Sequence, residues 1–468
     1  MLITLIKPPQ IIVNQAEEYL YPAVALKMRK SLRRLIKKNP VEKPLDLWYP
    51  MGVLYIASFL QANGHEVEVI DLNFQDFSSD IKGVIGVSFD GKIDGQFLDR
   101  LHAYKSNGKL LIAGGFDATF HYSELLDKEL IDIIVLGEGE LTILELLSRI
   151  ENNEDWKDVK GIAYKGPEGI IINRRTNYCD LETLPIPNRE LVNIEKYRES
   201  NPIVNLIASR GCPRKGRCGF CKKTQHNYRI QSVEKTIEEM RILYNYGYRR
   251  FYFGDDYFMP PKDHILKLCD AIRTNFPDIK WRCLIHVVDC DETILRTMQE
   301  SGCEQAGLGV ESFNQETLDA IRKDYTISQL TEAIKVFRKI GMNSFIFLLM
   351  GLPKESPRLF LANLIKYSFK LKPYFLCLSI LNITHSSSLM KLPGFGAPFQ
   401  RNPDKFGIHF RTDHDEYCGI PIEIKELEAV GTIKFSSYQR AFPFAIMYVS
   451  FYHKIIRPLF KIIDRLGL

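Results

Sequence analysis

The sequence predicts an α/β protein built on two successive parallel sheets. Short apolar runs alternate with helical patterns over residues 1–150, and the alternation resumes over residues 201–385. Glycine-rich or polar turns follow several of these runs, as expected where parallel strands end at a ligand-binding edge. A length of 468 residues suits two or three domains, and 45% hydrophobic with 25% charged residues is typical of a globular protein. We therefore expect two α/β domains, a linker over residues 151–200 and a C-terminal extension over residues 386–468.

Composition and charge indicate which cellular compartment and which binding partners suit this chain. A formal net charge of +5 is small at this length, so we expect no general attraction to nucleic acid. The first residues show no signal-peptide pattern, and no apolar run is long enough to span a bilayer. Ten cysteines, three of them clustered, suit a reducing cytoplasm better than a disulfide framework. Two basic stretches, at 27–43 and 441–468, either contact a membrane surface peripherally or are a solvated helix face and a docked tail.

The pattern of the first domain predicts a doubly wound parallel sheet. Its apolar runs predict five strands, and amphipathic patterns between them predict four helices. The strands are expected at 2–6, 66–70, 83–88, 110–113 and 132–136, and the helices at 52–62, 94–104, 123–128 and 142–150. The linker is expected to hold a hairpin formed by residues 161–164 and 170–173, followed by a proline-stiffened connection at 184–189.

The second domain repeats a strand–helix unit six times. Strands are expected at 203–208, 249–253, 280–285, 305–309, 344–349 and 374–380, and helices at 233–246, 262–275, 291–301, 315–323, 328–340 and 357–369. Three cysteines follow the first of these strands, namely Cys212, Cys218 and Cys221. Three thiolates on one loop can hold three irons of a [4Fe–4S] cluster and leave the fourth iron open. Two alternatives remain, which are a zinc site completed by His226 and three incidental thiols.

The loop resembles that of the radical S-adenosylmethionine (SAM) enzymes, because Cys212-Pro213 is followed by Cys218-Gly219-Phe220-Cys221. Five residues separate the first two cysteines here, whereas three are usual, and a loop absorbs such an insertion readily. The resemblance implies a partial (β/α)6 barrel with SAM contacts just after the strands. Those contacts fall on Phe220, on Gly254, Asp255 and Asp256, on Glu311, and on Gly351 and Leu352. The competing interpretation makes these acids ordinary solvated turn residues.

The turns of the first domain occur in a specific order. A proline–glycine entry at 49–55 and Gly64-His65-Glu66-Val67 precede Ser88, the 114–119 turn and the 137–140 turn. This series resembles the cobalamin-binding, Rossmann-like domain that precedes the barrel in cobalamin-dependent radical SAM enzymes. The resemblance implies cobalamin contacts at Ser88, Gly114, Gly115, Thr119, Gly137 and Glu138. An Asp-x-His-x-x-Gly motif is missing and His121 is a lone histidine, so we expect no histidine on the cobalt. A degenerate domain without cobalamin is the alternative.

The combined resemblance implies a radical enzyme with a [4Fe–4S] cluster, SAM and cobalamin. The leading expectation is a C-methyltransferase that acts on an unactivated carbon of a small molecule or peptide, with electrons from an external donor such as flavodoxin or ferredoxin. A ring-forming or oxygen-inserting member of the cyclase type is the first alternative, and a non-catalytic cobalamin or cluster sensor is the second. A methylthiotransferase is disfavoured because no cysteine precedes Cys179 to hold a second cluster. The sequence assigns neither a catalytic residue nor the substrate.

Overall fold

The structure is a computed structural model that describes residues 1–9, 47–76, 81–90, 95–214, 218–221 and 227–380, with 410–411, 416–417, 441, 444–445, 447–449 and 451–460. The chain divides into two compact units. The first holds the described residues up to Pro202 together with the short strands near residue 410, and the second holds those from Ile203 to Ile380 and from Ala441 onward. The predicted basic stretch at 27–43 lies outside the described residues.

The first unit contains a seven-stranded mixed sheet in the order β2-β1-β3-β4-β5-β6-β7. Strands β1 to β5 are parallel, and β6 and β7 pair antiparallel at one side. The strands are β1 Leu2–Lys7, β2 Glu66–Asp71, β3 Val84–Ser88, β4 Leu111–Gly114, β5 Ile133–Val135, β6 Ile162–Gly166 and β7 Gly169–Asn173. The expected linker hairpin is therefore an extension of this sheet, because β6 pairs with β5.

Helices flank the strands of this sheet, as the alternating pattern predicts. They are α1 Met51–Ala62, α2 Gly95–Ser106, α3 Phe116–Phe120, α4 Tyr122–Asp127, α5 Glu140–Glu151 and α6 Ile194–Ser200, with a 3₁₀ turn at Arg189–Leu191. Strand and helix residues such as Ile85, Ile134, Leu101 and Leu125 fill a continuous apolar core. The short helix α3 occupies the stretch that the sequence suggests as a turn after Gly115.

The second unit contains a six-stranded, fully parallel sheet in the order β15-β14-β13-β12-β11-β8. Its strands are β8 Ile203–Leu206, β11 Arg250–Phe253, β12 Lys280–Ile285, β13 Cys303–Glu311, β14 Asn343–Met350 and β15 Phe375–Ile380. Two short strands, β9 Ser209–Arg210 and β10 Arg229–Ile230, form a separate antiparallel ladder. A second small pair, β16 Phe410–Arg411 and β17 Glu416–Tyr417, belongs to the first unit.

The helices of the second unit begin at residues suited to capping. They are α7 Val233–Asn245, α8 Lys262–Asn275, α9 Glu292–Glu300, α10 Gln315–Ala320, α11 Ile327–Ile340 and α12 Pro357–Leu371, with a 3₁₀ turn at Val287–Asp289. Ser232, Asp291, Thr326 and Ser356 each accept a hydrogen bond from a backbone N–H in the first turn, which satisfies a donor that the helix itself leaves free. All six strand–helix units expected from the sequence are present, and the fold class is confirmed.

The C-terminal helical segment packs on the edge strand β15. It includes a π-helical turn at Tyr452–Ile456. The hydroxyl of Tyr452 donates to the carbonyl of Pro373 at 2.7 Å, and the His453 ring stacks on Phe375. Nε2 of His453 lies 3.2 Å from the N of Leu376 and 3.1 Å from its O. A side chain thus occupies the backbone groups that an additional strand would use.

Candidate functional site

The loop that carries the three cysteines leaves the sheet at the carboxyl end of β8. The ladder between β9 and β10 closes the loop at its base, since Arg210 pairs with Arg229 and Ser209 with Ile230. Gly211 begins the excursion at φ +88°, and a Cβ there would lie 2.5 Å from the carbonyl O of Asn227. Only glycine tolerates both the conformation and the close approach. The loop therefore starts and ends at one tight crossing, which the sequence pattern did not reveal.

The three thiols lie near one another and are half-buried. Burial is the main cause that raises the pKa of Cys212, and the neighbouring Cys218 and Cys221 add to it. The backbone N–H of Gly219 donates to the carbonyl of Ile321 at 2.7 Å, and that of Cys221 donates to Cys218 O at 3.0 Å. Within the described part of the chain, no group of three His, Cys, Asp or Glu side chains, the three loop thiols included, is placed so that it could hold a metal ion. His226 lies outside the described residues.

Asp255 lies beneath the start of the cysteine loop. Its carboxylate accepts hydrogen bonds from the hydroxyl of Ser209 at 2.5 Å and from the N–H of Ala208 at 3.3 Å. Complete burial raises its pKa to about 7, although these hydrogen bonds oppose the increase. Gly254 continues the strand and donates to Leu206 O, whereas Asp256 is exposed. Of the predicted pair of acids, Asp255 supports the loop backbone and Asp256 faces outward.

Glu311 occupies a strained position at the end of β13. Its φ is +66°, and the pairing of β13 with β14 shifts register between Gly309 and Glu311. A non-glycine residue with positive φ is uncommon and persists where neighbours over-determine it. Here the neighbour is Lys323, whose Nζ lies 3.1 Å from Glu311 Oε1 and donates to Gly309 O at 2.8 Å. Both side chains are almost fully buried.

Lys323 links Glu311 to the cysteine loop. Its Nζ lies 5.5 Å from the ring centre of Phe220, within the range of a cation–π contact. Helix α10 ends at Ala320, before Lys323, and Arg322 adopts φ +59°. That left-handed residue turns the chain back toward the strand ends. The sequence predicted a helix through residue 323, so the turn that directs Lys323 inward is a correction to that prediction.

His286 is a buried residue at this rim that no sequence motif indicates. It follows β12 directly, and its Nδ1 accepts the N–H of Val288 at 3.4 Å. Burial lowers its pKa to about 2, and the positive charges of Lys323 and Arg214 contribute. Its Nε2 is buried, and none of the residues that the structure describes forms a hydrogen bond with it. A neutral imidazole that accepts at Nδ1 carries its proton on Nε2, so a donor is available here.

Two acidic residues, Asp324 and Asp289, lie near Arg214, which stands between the first two cysteines. Its guanidinium forms an ion pair with Asp324, the residue after Lys323. The His286 Nε2 lies 3.8 Å from the same carboxylate. Close by, the hydroxyl of Tyr257 donates to Asp289 at 2.6 Å. The strand ends of β8, β11 and β12 thus present a group of charged and polar side chains beside the cysteine loop.

The turn after β14 is fixed by a second buried acid. Gly351 has φ +104°, and the side chain of Leu352 is buried. The hydroxyl of Ser312 lies 2.9 and 3.0 Å from the two carboxylate oxygens of Glu355. Burial raises the pKa of Glu355 to about 7. The segments after β13 and β14 are therefore joined, and the side chain of Leu352 belongs to the core.

In the first unit, hydrogen bonds join the turns predicted to contact cobalamin. The hydroxyl of Ser88 donates to Asp90 at 2.5 Å, and the N–H of Phe116 donates to the same carboxylate at 2.6 Å. Gly115 has φ +97°, and a Cβ there would lie 2.7 Å from that carboxylate. At Gly114 a Cβ would make only ordinary contacts. Gly115 is thus the sterically required glycine of the pair.

Thr119 joins the turn after β4 to the turn after β5. Its hydroxyl donates to the carbonyl of Gly115 at 2.9 Å and accepts from the N–H of Gly137 at 2.9 Å. Gly137 is exposed with φ +74°, and Glu138 beside it is half-buried. The predicted contacts after β3, β4 and β5 therefore lie along one edge of the sheet. His121 Nδ1 lies 3.3 Å from Glu124, at the junction of α3 and α4.

Two family models match the chain. The model of the radical SAM superfamily matches residues 206–362, and the model of the B12 binding domain matches residues 40–147. The first match contains the cysteine loop and the strand ends described for the second unit. The second match contains the hydrogen-bonded turns of the first unit.

Curated relatives carry both methyltransferase and cyclase names. The uncharacterized methyltransferase PH0819 of Pyrococcus horikoshii is 30% identical over 66% of this chain and 70% of its own length. The anaerobic magnesium-protoporphyrin IX monomethyl ester cyclase of Rubrivivax gelatinosus is 28% identical over 66% of this chain and 60% of its own length. The cytidylyl-2-hydroxyethylphosphonate methyltransferase of Streptomyces wedmorensis is 25% identical over 65% and 69%.

Solved structures share the fold at low sequence identity. The methyltransferase TsrM from Kitasatospora setae, solved with cobalamin and a [4Fe–4S] cluster, matches with a TM-score of 0.67 at 17% identity, over 86% of this chain and 76% of that chain. OxsB, solved with aqua-cobalamin and SAM, matches with a TM-score of 0.66 at 16% identity, over 92% and 65%. These similarities support the architecture of both units.

Proposed function

The chain belongs to the radical SAM superfamily and carries a B12-binding domain, and from this premise we propose that it methylates an unactivated carbon. Its cofactors are accordingly a [4Fe–4S] cluster, SAM and cobalamin. The observation that carries the proposal is the 30% identity to a relative named as a methyltransferase, which extends over 70% of that relative. When bound, these cofactors supply a radical that removes a hydrogen atom and a methyl group that replaces it.

We propose that Cys212, Cys218 and Cys221 hold the cluster. Their fit rests on chemistry, because three half-buried thiols on one closed loop form a donor set that leaves one iron open. Two hydrogen bonds position this loop, from the N–H of Gly219 to Ile321 O and from the hydroxyl of Ser209 to the buried Asp255. The role of these groups is to fix where SAM meets the open iron.

We propose that the strand ends around this loop bind SAM. Glu311 accepts hydrogen bonds from ribose hydroxyls, while the Gly254-Asp255-Asp256 turn binds the methionine ammonium, with Asp256 as its exposed acid. Phe220 and the backbone of Gly351 and Leu352 line the remaining surface. Lys323 holds the Glu311 carboxylate in place through the 3.1 Å ion pair, so that it is oriented before the ligand arrives.

We propose that the joined turns of the first unit bind cobalamin through Ser88, Gly114, Gly115, Thr119, Gly137 and Glu138. Their fit rests on the glycine geometry, since Gly115 keeps the rim free of side chain where the backbone turns. Thr119 holds two of the turns at a fixed spacing. We assign no histidine from this edge of the sheet to the cobalt, because Nδ1 of His121 lies 3.3 Å from the carboxylate of Glu124.

A cyclase-type reaction without methyl transfer is the second candidate. The observation that favours it is the 28% identity to a relative named as a cyclase. The two candidates differ in what becomes of SAM. Transfer of its methyl group leaves S-adenosylhomocysteine, whereas radical cleavage alone leaves methionine and 5′-deoxyadenosine.

The test is an anaerobic incubation of the reconstituted protein with cobalamin, a strong reductant and SAM labelled on its methyl group. We expect both S-adenosylhomocysteine and 5′-deoxyadenosine by mass spectrometry, with a labelled methyl group on the substrate when one is supplied. Formation of 5′-deoxyadenosine alone would favour the cyclase candidate. The absence of both products would favour a non-catalytic sensor.

The proposal extends to partners and compartment. The substrate is a small molecule or a peptide, and the electron comes from an external donor such as flavodoxin or ferredoxin. We propose a cytoplasmic protein that contacts a membrane surface peripherally. Among the residues that the structure describes, no helix has both the length and the apolar character needed to cross a bilayer.

A further inference from the structure

A row of large apolar side chains lies exposed along the C-terminal helical segment. Phe444, Met447, Phe451, Ile455 and Leu459 follow one another every three or four residues, and their exposed fractions run from 36% at Met447 to 63% at Phe444. The neighbouring face of the same segment, with Ala445, Tyr452 and Ile456, is buried against the second unit. The segment is therefore apolar on two faces, of which one is already packed.

Helix α12 continues this row on its exposed side. Ile365 and Phe369 lie one turn apart and are 44% and 47% exposed. The Phe369 ring meets that of Phe460 edge-on at a centroid distance of 5.7 Å. A hydrogen bond between the hydroxyls of Ser368 and Tyr448 also joins the two helices. We call the combined area the apolar–basic surface, made of Ile365, Phe369, Phe444, Met447, Phe451, Ile455 and Leu459.

The two segments that form the apolar–basic surface carry charged side chains of a single sign. Lys366 and Lys370 on α12 and Lys454 on the C-terminal segment are exposed beside the apolar row. Neither Pro357–Leu371 nor the stretch 441–460 contains an aspartate or glutamate. An apolar area of this kind with a basic border is complementary to an anionic surface that has an apolar interior.

This charge pattern distinguishes between the possible occupants. Two copies of the surface placed face to face would bring lysines against lysines, which is unfavourable. The terminal stretch 461–468 has two basic residues and one acid, so it does not complement the surface either. A bilayer with anionic headgroups satisfies both parts, because apolar side chains enter the acyl boundary while lysines reach the headgroups.

We infer that the apolar–basic surface docks this protein on the face of an anionic lipid bilayer. The inference deepens the peripheral contact proposed above and rests on it, but it does not depend on methyl transfer. The protein lies on the membrane rather than crossing it, which places the second unit next to lipids and to substrates dissolved among them. Each lysine near an anionic surface contributes about fivefold to binding, and the apolar side chains add to this.

The experiment is co-sedimentation of the full-length protein with vesicles. We expect binding to vesicles that contain phosphatidylglycerol and at least tenfold weaker binding to pure phosphatidylcholine. Phe451→Ser/Ile455→Ser and, separately, Lys366→Glu/Lys370→Glu/Lys454→Glu should each reduce binding to the anionic vesicles at least tenfold. All changed side chains are exposed, so circular dichroism and SAM cleavage should match the wild type.

Matched control variants change the same residue types elsewhere. Ile171→Ser/Ile172→Ser removes two exposed apolar side chains from β7, and Lys157→Glu/Lys262→Glu/Lys267→Glu reverses three exposed charges. Both controls should bind vesicles like the wild type. Equal loss in the controls, or equal binding to both kinds of vesicle, would overturn the inference. A dimer in light scattering that Phe451→Ser/Ile455→Ser dissociates, without vesicle binding, would assign the surface to self-association instead. SAM cleavage measured in parallel separates this outcome from a failure of the proposed chemistry.

Discussion

Replacement of Lys323 with methionine should destabilise the second unit far more than a surface mutation would. Lys323 and Glu311 form an ion pair whose side chains are only 5% and 10% exposed. Methionine keeps much of the aliphatic stem but removes the charge and the hydrogen bond to Gly309 O. The Glu311 carboxylate would then remain buried without its cation, at a backbone position that is already strained.

The expected magnitude follows from the geometry. At the observed 3.1 Å and an effective dielectric constant of about 20, the Coulomb attraction is about 5 kcal/mol before desolvation is subtracted. Desolvation of both groups offsets much of this, so the pair contributes little net free energy while it is intact. Breaking a buried pair by removing one partner costs about 3–5 kcal/mol. For a unit of this size, that corresponds to a fall in melting temperature of about 6–20 °C.

The assay is thermal unfolding of apo protein for Lys323→Met, Glu311→Gln and the double variant. Glu311→Gln leaves an uncompensated lysine, so it too should destabilise the unit, and the double variant should lose less than the sum of the two. Lys335→Met is the matched control, because Lys335 pairs with Glu332 at the surface, where such pairs contribute about 0–1 kcal/mol. If both single variants cost under about 1 kcal/mol and their effects add, the pair is not coupled and the reasoning is refuted.

Four further predictions concern the cofactor sites. Replacing the three loop cysteines with alanine should abolish the cluster's charge-transfer absorbance and SAM cleavage, and an intact cluster in that variant would contradict the ligand assignment. Spectra of the Co(II) form should lack nitrogen hyperfine splitting from an imidazole, whereas a signal lost in His121→Ala would refute this. The folded pKa of Asp255, about 7, lies above its usual value of 3.8, so its contribution to stability is complete below about pH 4 and is gone once the pH has risen through 7. The stability advantage of wild type over Asp255→Asn, measured by denaturant titration, should therefore shrink between about pH 4 and pH 7 and stay constant above that. The pKa of His286, about 2, means that its imidazole ¹⁵N resonances, assigned with His286→Gln, should show no protonation down to about pH 5.

Alternation of apolar runs and helical patterns was enough to predict the two parallel sheets. Strand β12 and helix α8 were predicted with the bounds that the structure has, at 280–285 and 262–275. In such long segments, the regular spacing of apolar residues indicates which side is buried and where the element ends. The ladder of β9 and β10 was missed because it consists of two residues on each side of a long loop. Helix α3 was missed because five residues after a double glycine resemble a turn.

The sequence indicated which residues belong to the candidate site, but not which side chains they contact. Motifs placed Glu311 and Asp255 after strands, since the carboxyl ends of parallel strands share an edge. The sequence could not indicate that Ser209 binds Asp255 or that Lys323 binds Glu311, because those contacts depend on how loops return to the sheet. His286 was missed because a single histidine after a strand carries no motif, and its neutral state follows from burial and nearby cations.

Arg214, between the first two cysteines, is one of the points at which the cysteine loop is attached to the rest of the second unit. Its guanidinium pairs with Asp324. The loop is also attached by the bond from Gly219 N to Ile321 O at 2.7 Å, so both attachments lie in the turn that follows α10. The same turn carries Lys323 to Glu311. Placement of the loop thiols and orientation of the Glu311 carboxylate therefore depend on one short segment, whose direction is set by the left-handed φ of +59° at Arg322. Arg214 is thus held at the rim by an ion pair, and the turn after α10 supports both the cysteine loop and the Glu311–Lys323 pair.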